Sequence, residues 1–146
     1  MNSNYDTDFY EWTQQQAKAI RQGDWDQIDR EHLAEEIEDM WKVDSGRLWH
    51  HMGELLVWLL AYTYAPEQRQ THGWWYVRIV NHRCEIEVVV DVWPNLAAQA
   101  EQRLDESYDR AREIASEETG LPVDSFPETC PWTAQQVIDA TFWPEV

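Results

Sequence analysis

Apolar residues recur along most of this chain at spacings of three and four, the spacing that lines one face of a helix. The segment Asp8-Phe9-Tyr10-Glu11 has the acceptor-x-x-Glu form of a capping box. It predicts a first helix with Phe9, Trp12, Gln16 and Ile20 along one side and a stop at Gly23. Asp24-Trp25-Asp26 opens a short turn or second helical piece. From Arg30 to Tyr64 the pattern is again helical, with Leu33, Ile37, Met40, Trp41, Leu48, Leu55, Trp58, Leu59 and Tyr62 in one broad stripe. Gly46 and Gly53 argue against a single unbroken rod, and Pro66 ends the stretch.

Trp74 to Trp93 reads two ways. Cys84, Ile86, Val88, Val90 and Val92 alternate with mostly polar neighbours, and valine favours strands, with Asn81-His82 as a hairpin turn. Trp75, Ile79, Arg83, Ile86 and Val90 also fit a helical face. Propensity alone tips the segment slightly towards a hairpin. Leu96 to Thr119 is plainly helical, with Ala97, Ala100, Leu104, Tyr108, Ala111 and Ala115 in register, and Gly120 and Pro122 stop it. Pro122, Pro127 and Pro131 make an extended strap. Thr133-Ala134-Gln135-Gln136 is a capping box for a short last helix, and Trp132 and Val137 have the spacing of a hydrophobic staple.

Length and charge narrow the function classes. A chain of 146 residues suits one domain, so residues 1–146 are expected to form a single helical domain with a real core. Its net charge of −17 repels phosphate, so neither nucleic acid nor an anionic membrane surface is an expected partner. A basic protein, or a second copy of the chain through exposed aromatics, is expected instead. Ten tryptophans are more than one small core easily holds. Trp74, Trp93, Trp132 and Trp143 are therefore interface candidates, with core packing and strap anchoring as the alternative. The segment from Met1 to Asp8 has no signal-peptide pattern, and the longest apolar run, Leu55 to Ala61, is far short of a membrane span. The expected compartment is a reducing cytoplasm, where Cys84 and Cys130 stay unpaired.

Few residues carry candidate chemistry. Glu36 falls at the edge of the apolar stripe, where a carboxylate needs a partner, and Arg83 on the apolar face of the later segment is the expected one. That pair reads as a helix–helix ion pair or as a pocket carboxylate. His51 and Glu54 share a face at a spacing of three, as ligands of metal-binding bundles do, although no second copy of the motif is present. His50 and His82 contribute only if the fold brings them close. Cys130 beside Pro131 reads as a small buried hydrophobe or as a nucleophile lacking an adjacent base. No phosphate loop, dinucleotide fingerprint, nucleophile elbow or zinc motif occurs, so no cofactor is expected.

Several segments resemble a bacterial family, domain-of-unknown-function family 29. They are Tyr5-Asp6-Thr7-Asp8-Phe9-Tyr10-Glu11-Trp12, His32-Leu33-Ala34-Glu35-Glu36-Ile37-Glu38, Leu55-Leu56-Val57-Trp58-Leu59-Leu60 with Tyr64-Ala65-Pro66-Glu67, and Phe126-Pro127-Glu128-Thr129-Cys130-Pro131-Trp132-Thr133 with Phe142-Trp143-Pro144-Glu145. The resemblance implies an all-helical fold with no established activity. It also implies that Trp75, Ile79, Arg83 and Ile86 lie on a helix, against the hairpin. Trp58 and Ala61 stand where the family often has His and Lys, which speaks against a shared catalytic His. The expected architecture is then all-α: an antiparallel bundle of about four main helices with an extended C-terminal strap and a short last helix. The expected function is a non-catalytic acidic interaction module. The alternatives are a metal-binding or enzymatic bundle using Glu36, His51 and Glu54, and a neutraliser of a basic partner.

Overall fold

The computed structural model describes residues 4–145. They contain seven α-helices and no strand: α1 (Phe9–Gln22), α2 (Arg30–Asp39), α3 (Lys42–Tyr64), α4 (Pro66–Arg69), α5 (Trp74–Val92), α6 (Pro94–Thr119) and α7 (Ala134–Ile138), with single 3-10 turns at Trp25–Gln27 and Val123–Ser125. The chain divides into two compact units, Met1–Val43 and Asp44–Val146.

The first unit is held by polar contacts more than by apolar burial. Asp8 caps α1 by accepting from the Glu11 N–H at 2.9 Å, and Gly23 ends it at φ 70°, a left-handed conformation that glycine adopts without strain. Only Trp12, Gln16 and Ala19 of α1 are buried; Phe9 and Ile20, expected on the same side, are exposed. Gln16 clamps the connection to α2: its Oε1 accepts from the Asp29 N–H at 2.8 Å and its Nε2 donates to the Gln27 carbonyl at 3.4 Å. Asp29 caps α2, accepting from the His32 N–H at 3.4 Å.

The second unit carries the main core. The expected stripe from Arg30 to Tyr64 breaks at Met40 and Trp41, away from both suspect glycines. Gly46 and Gly53 sit inside α3, and a Cβ at either would meet nothing within 4 Å. In α3 every residue from Leu55 to Ala61 is buried. Tyr64 ends the helix, and Pro66 opens α4 at a first-turn position, where its missing N–H costs nothing.

The segment from Trp74 is helical. Its buried positions are Trp75, Ile79, Arg83, Ile86 and Val89, spaced by three and four. The valine alternation splits, with Val88 and Val92 exposed. Burying Trp75, Ile79, Ile86 and Val89 gains about 1.5–3 kcal/mol each, against a helix-propensity cost of about 0.5 kcal/mol per valine. Packing outweighs propensity, and the hairpin is not formed.

Cross-helix partners fix the directions. Arg47 meets Glu85 and His51 meets His82, so α3 and α5 run antiparallel. Arg103 lies over the Trp49 ring at 4.6 Å and Phe126 lies beside Tyr64 at 6.1 Å, so α6 runs parallel to α3. One residue, Trp93, joins α5 to α6, and its indole N–H donates to Asp44 at 2.8 Å. The strap returns along α6: the Tyr108 hydroxyl donates to the Pro127 carbonyl at 2.8 Å, and the Ala134 N–H donates to Glu101 at 2.8 Å. The Thr133–Gln136 capping box is formed in both directions, and the staple residues Trp132 and Val137 are both buried.

Candidate functional site

Helix α2 is amphipathic yet buries none of its residues. Leu33 and Ile37 share one side of α2, and Met40 and Trp41, in the break that follows it, continue the i, i+4, i+7, i+8 spacing of a helix laid into a groove. Ile37 and Met40 are 60% and 63% exposed. Glu31, Glu35 and Glu38 occupy the opposite side. Glu36 sits at the boundary and accepts the Tyr5 hydroxyl at 2.6 Å. Beside that carboxylate the Tyr5 phenol is pushed up to about 12, chiefly because its proton is held in the hydrogen bond.

Beside α1 lies a cleft of about 560 Å³, lined by residues that include Trp12, Gln16, Lys18, Asp24, Asp29 and His32. Asp29 is its hub, receiving the His32 Nδ1–H at 2.8 Å and the Trp12 indole N–H at 3.3 Å. The Tyr5 ring stacks on His32 at 4.0 Å. Asp29 raises the His32 pKa above its ordinary value, mainly through their hydrogen bond. The pair resembles the carboxylate–imidazole part of a catalytic dyad, but among the described residues no serine, threonine or cysteine lines the cleft. Sequence reasoning missed Asp29 and His32. The signal was there: Asp29 precedes His32 by three, the spacing of a helix N-cap.

On the second unit, α3 and α5 face each other along a polar seam. Arg47 Nη2 donates to Glu85 at 3.1 Å. One turn on, the Nδ1 atoms of His51 and His82 lie 2.9 Å apart, and His51 Nε2 is 3.9 Å from Glu85. Both histidines hold protons less readily than usual, first because of burial. For His51 the next cause is His50, and for His82 it is His51. Glu54 also acts on both, in the opposite direction. Further along, Arg78 lies over the rings of Trp58 and Trp74, at 4.9 and 5.2 Å.

Arg83, expected opposite Glu36, instead donates its Nε–H to the Val137 carbonyl at 2.9 Å. A main-chain oxygen of α7 takes the place of the expected carboxylate. The guanidinium lies over the Trp143 ring at 5.2 Å and is only 3% exposed. Its two terminal nitrogens have no hydrogen-bond partner among the described residues. His51 meets His82 at 2.9 Å and lies near Glu85 rather than pairing with Glu54.

Among the interface candidates, Trp132 is buried in the core and Trp93 bonds Asp44. Trp143 stacks on Tyr76 at 4.7 Å, and Trp74 is 43% exposed. Burial pushes the Cys130 thiol up to about 11, so it stays protonated near neutrality. Among the described residues no three His, Cys, Asp or Glu side chains converge where they would enclose a metal ion. No described helix is long and apolar enough to cross a membrane.

Fold and site together define an all-α protein with an acidic amphipathic helix and a cross-helix histidine pair. The chain matches the family described as Domain of unknown function DUF29 over residues 4–143, and it belongs to that family. No curated protein matches the chain. No solved structure matches it either.

Proposed function

We propose that this chain is a non-catalytic, acidic helical module that binds a basic protein through α2. The observation that carries the reading is an apolar row, Ile37, Met40 and Trp41 exposed and Leu33 half-buried, that runs along and just past the end of a helix that buries nothing of its own. Soluble proteins rarely leave such a row uncovered unless something docks there. The acidic side adds long-range attraction for a cationic partner, raising the encounter rate more than the affinity. Charge also favours a basic partner over a second copy, because two α2 helices would bring like charges together.

The test is affinity capture at low salt with wild type and with the double variant Ile37→Asp/Met40→Asp, followed by mass-spectrometric identification. Wild type is expected to retain a basic protein that salt and the double variant both release, with at least a tenfold loss of affinity. Retention indifferent to the variant, or a monomer that retains nothing, contradicts the reading. A dimer that disappears in the variant assigns the face to self-association instead.

A further inference from the structure

The histidine pair of the second unit supports an inference separate from the α2 reading. Two imidazole nitrogens 2.9 Å apart can share one of two things, a proton or a metal ion. A proton gives an Nδ1–H···N hydrogen bond between neutral rings. A divalent ion binds imidazole nitrogen at about 2.0–2.1 Å, which sets two adjacent ligands about 2.9 Å apart at a right angle and about 3.4 Å apart at the tetrahedral angle. The observed gap equals the right-angled spacing, so the two nitrogens need not move apart, but each ring must turn from the hydrogen-bonding geometry to aim its lone pair at the ion. Right-angled nitrogen and oxygen coordination is the preference of Cu(II) and Ni(II).

Three further features suit a cation. Glu85 lies near the other nitrogen of His51, at 3.9 Å, and Arg47 holds that carboxylate in place. Ligand histidines commonly give their second N–H to such a group, which fixes the ring and raises its basicity. Glu54, three residues after His51 on α3, acts electrostatically on both rings and adds negative charge that favours a cation there. Neither ring is sealed from solvent, so water can fill the remaining positions. The opposing charges are Arg47, Arg78 and any proton on His50.

We propose that the Nδ1 atoms of His51 and His82 form a two-nitrogen site for a borderline divalent transition-metal ion, with Cu(II) or Ni(II) preferred over Zn(II). The bound ion replaces the proton shared by the pair and releases it to solvent. With two protein nitrogens and water, the site is open, and its affinity falls well below that of an enclosed structural site.

The test titrates the full-length, tag-free chain with Cu(II), and separately with Ni(II), in millimolar Mg(II) to saturate loose binding to surface carboxylates. Calorimetry gives the stoichiometry, and electron paramagnetic resonance of the copper form reads the nitrogen ligands. The expected result is one Cu(II) per chain with two imidazole nitrogens. His51→Gln and His82→Gln should each weaken binding at least tenfold, while His50→Gln leaves it within twofold. Circular dichroism of each variant checks that the helices are kept. Glu85→Gln should weaken binding severalfold without removing a nitrogen from the spectrum. The proposal is overturned if wild type binds no more tightly than the His51→Gln/His82→Gln double variant. It is equally overturned if one imidazole or none is detected, because the pair then holds only a proton. Neither result depends on α2, so a failed partner capture leaves this test unaffected.

Discussion

Trp75 shows how a single side chain decides between two readings of a segment. It is 2% exposed in the main core, so Trp75→Ala should lower the unfolding free energy by about 3–5 kcal/mol, measured by denaturant titration. A change near zero would mean that the ring does not pack. His32 makes a different prediction. Asp29 raises its native pKa, so its contribution to stability is full below the unfolded value near 6.5 and is lost as pH rises through the native value. An imidazole NMR titration should place the His32 midpoint above 6.5, and Asp29→Asn should bring it down. A wild-type midpoint at or below 6.5 contradicts the assignment. The Asp29–His32 spacing was present in the sequence but went unread, whereas the His51–His82 pair could not be read from it. His82 is 31 positions from His51, and composition carries no distance information at that range. Glu36 illustrates the same limit: the requirement for a partner was legible, but its identity, Tyr5, was not.

The helices were largely legible because their signals are local. Gly23, Gly120, the prolines and the Thr133 box act within a few residues, and α1 and α6 begin and end, and α7 begins, within two residues of where those signals place them. Two elements resisted. In α5, β-branched residues and an accidental alternation imitate a strand, and only burial of the Trp75–Ile79–Arg83–Ile86 row overrides them. In α2, the exposed apolar row reads in sequence like any core stripe, because periodicity records a face and not what covers it. The suspicion attached to glycine also misled, since the helix breaks at Met40 and Trp41. Gly46 is an exposed interior position of α3 with free space around it, so Gly46→Ala should raise stability by about 1 kcal/mol in denaturant titration. A loss would mean that the position needs conformations closed to alanine.

Across the whole molecule, stability is unevenly shared. The first unit buries three side chains of α1 and none of α2, whereas the second contains the core from Leu48 to Val137. A fragment of residues 42–146 should therefore melt cooperatively by circular dichroism, while residues 1–41 alone should be mostly unfolded, as chains of that size usually are without staples. A fragment 42–146 that melts without cooperativity contradicts this division. The strap has a consequence for the order of events during synthesis. Trp132, Ala134 and Val137 leave the ribosome after α3, α5 and α6, yet they cover the apolar floor, and the Val137 carbonyl is the acceptor for Arg83. Until they emerge, a nascent chain holds a bare guanidinium over an open trough, the kind of surface that chaperones screen. A message truncated a few codons after α6 would leave the chain arrested in that state.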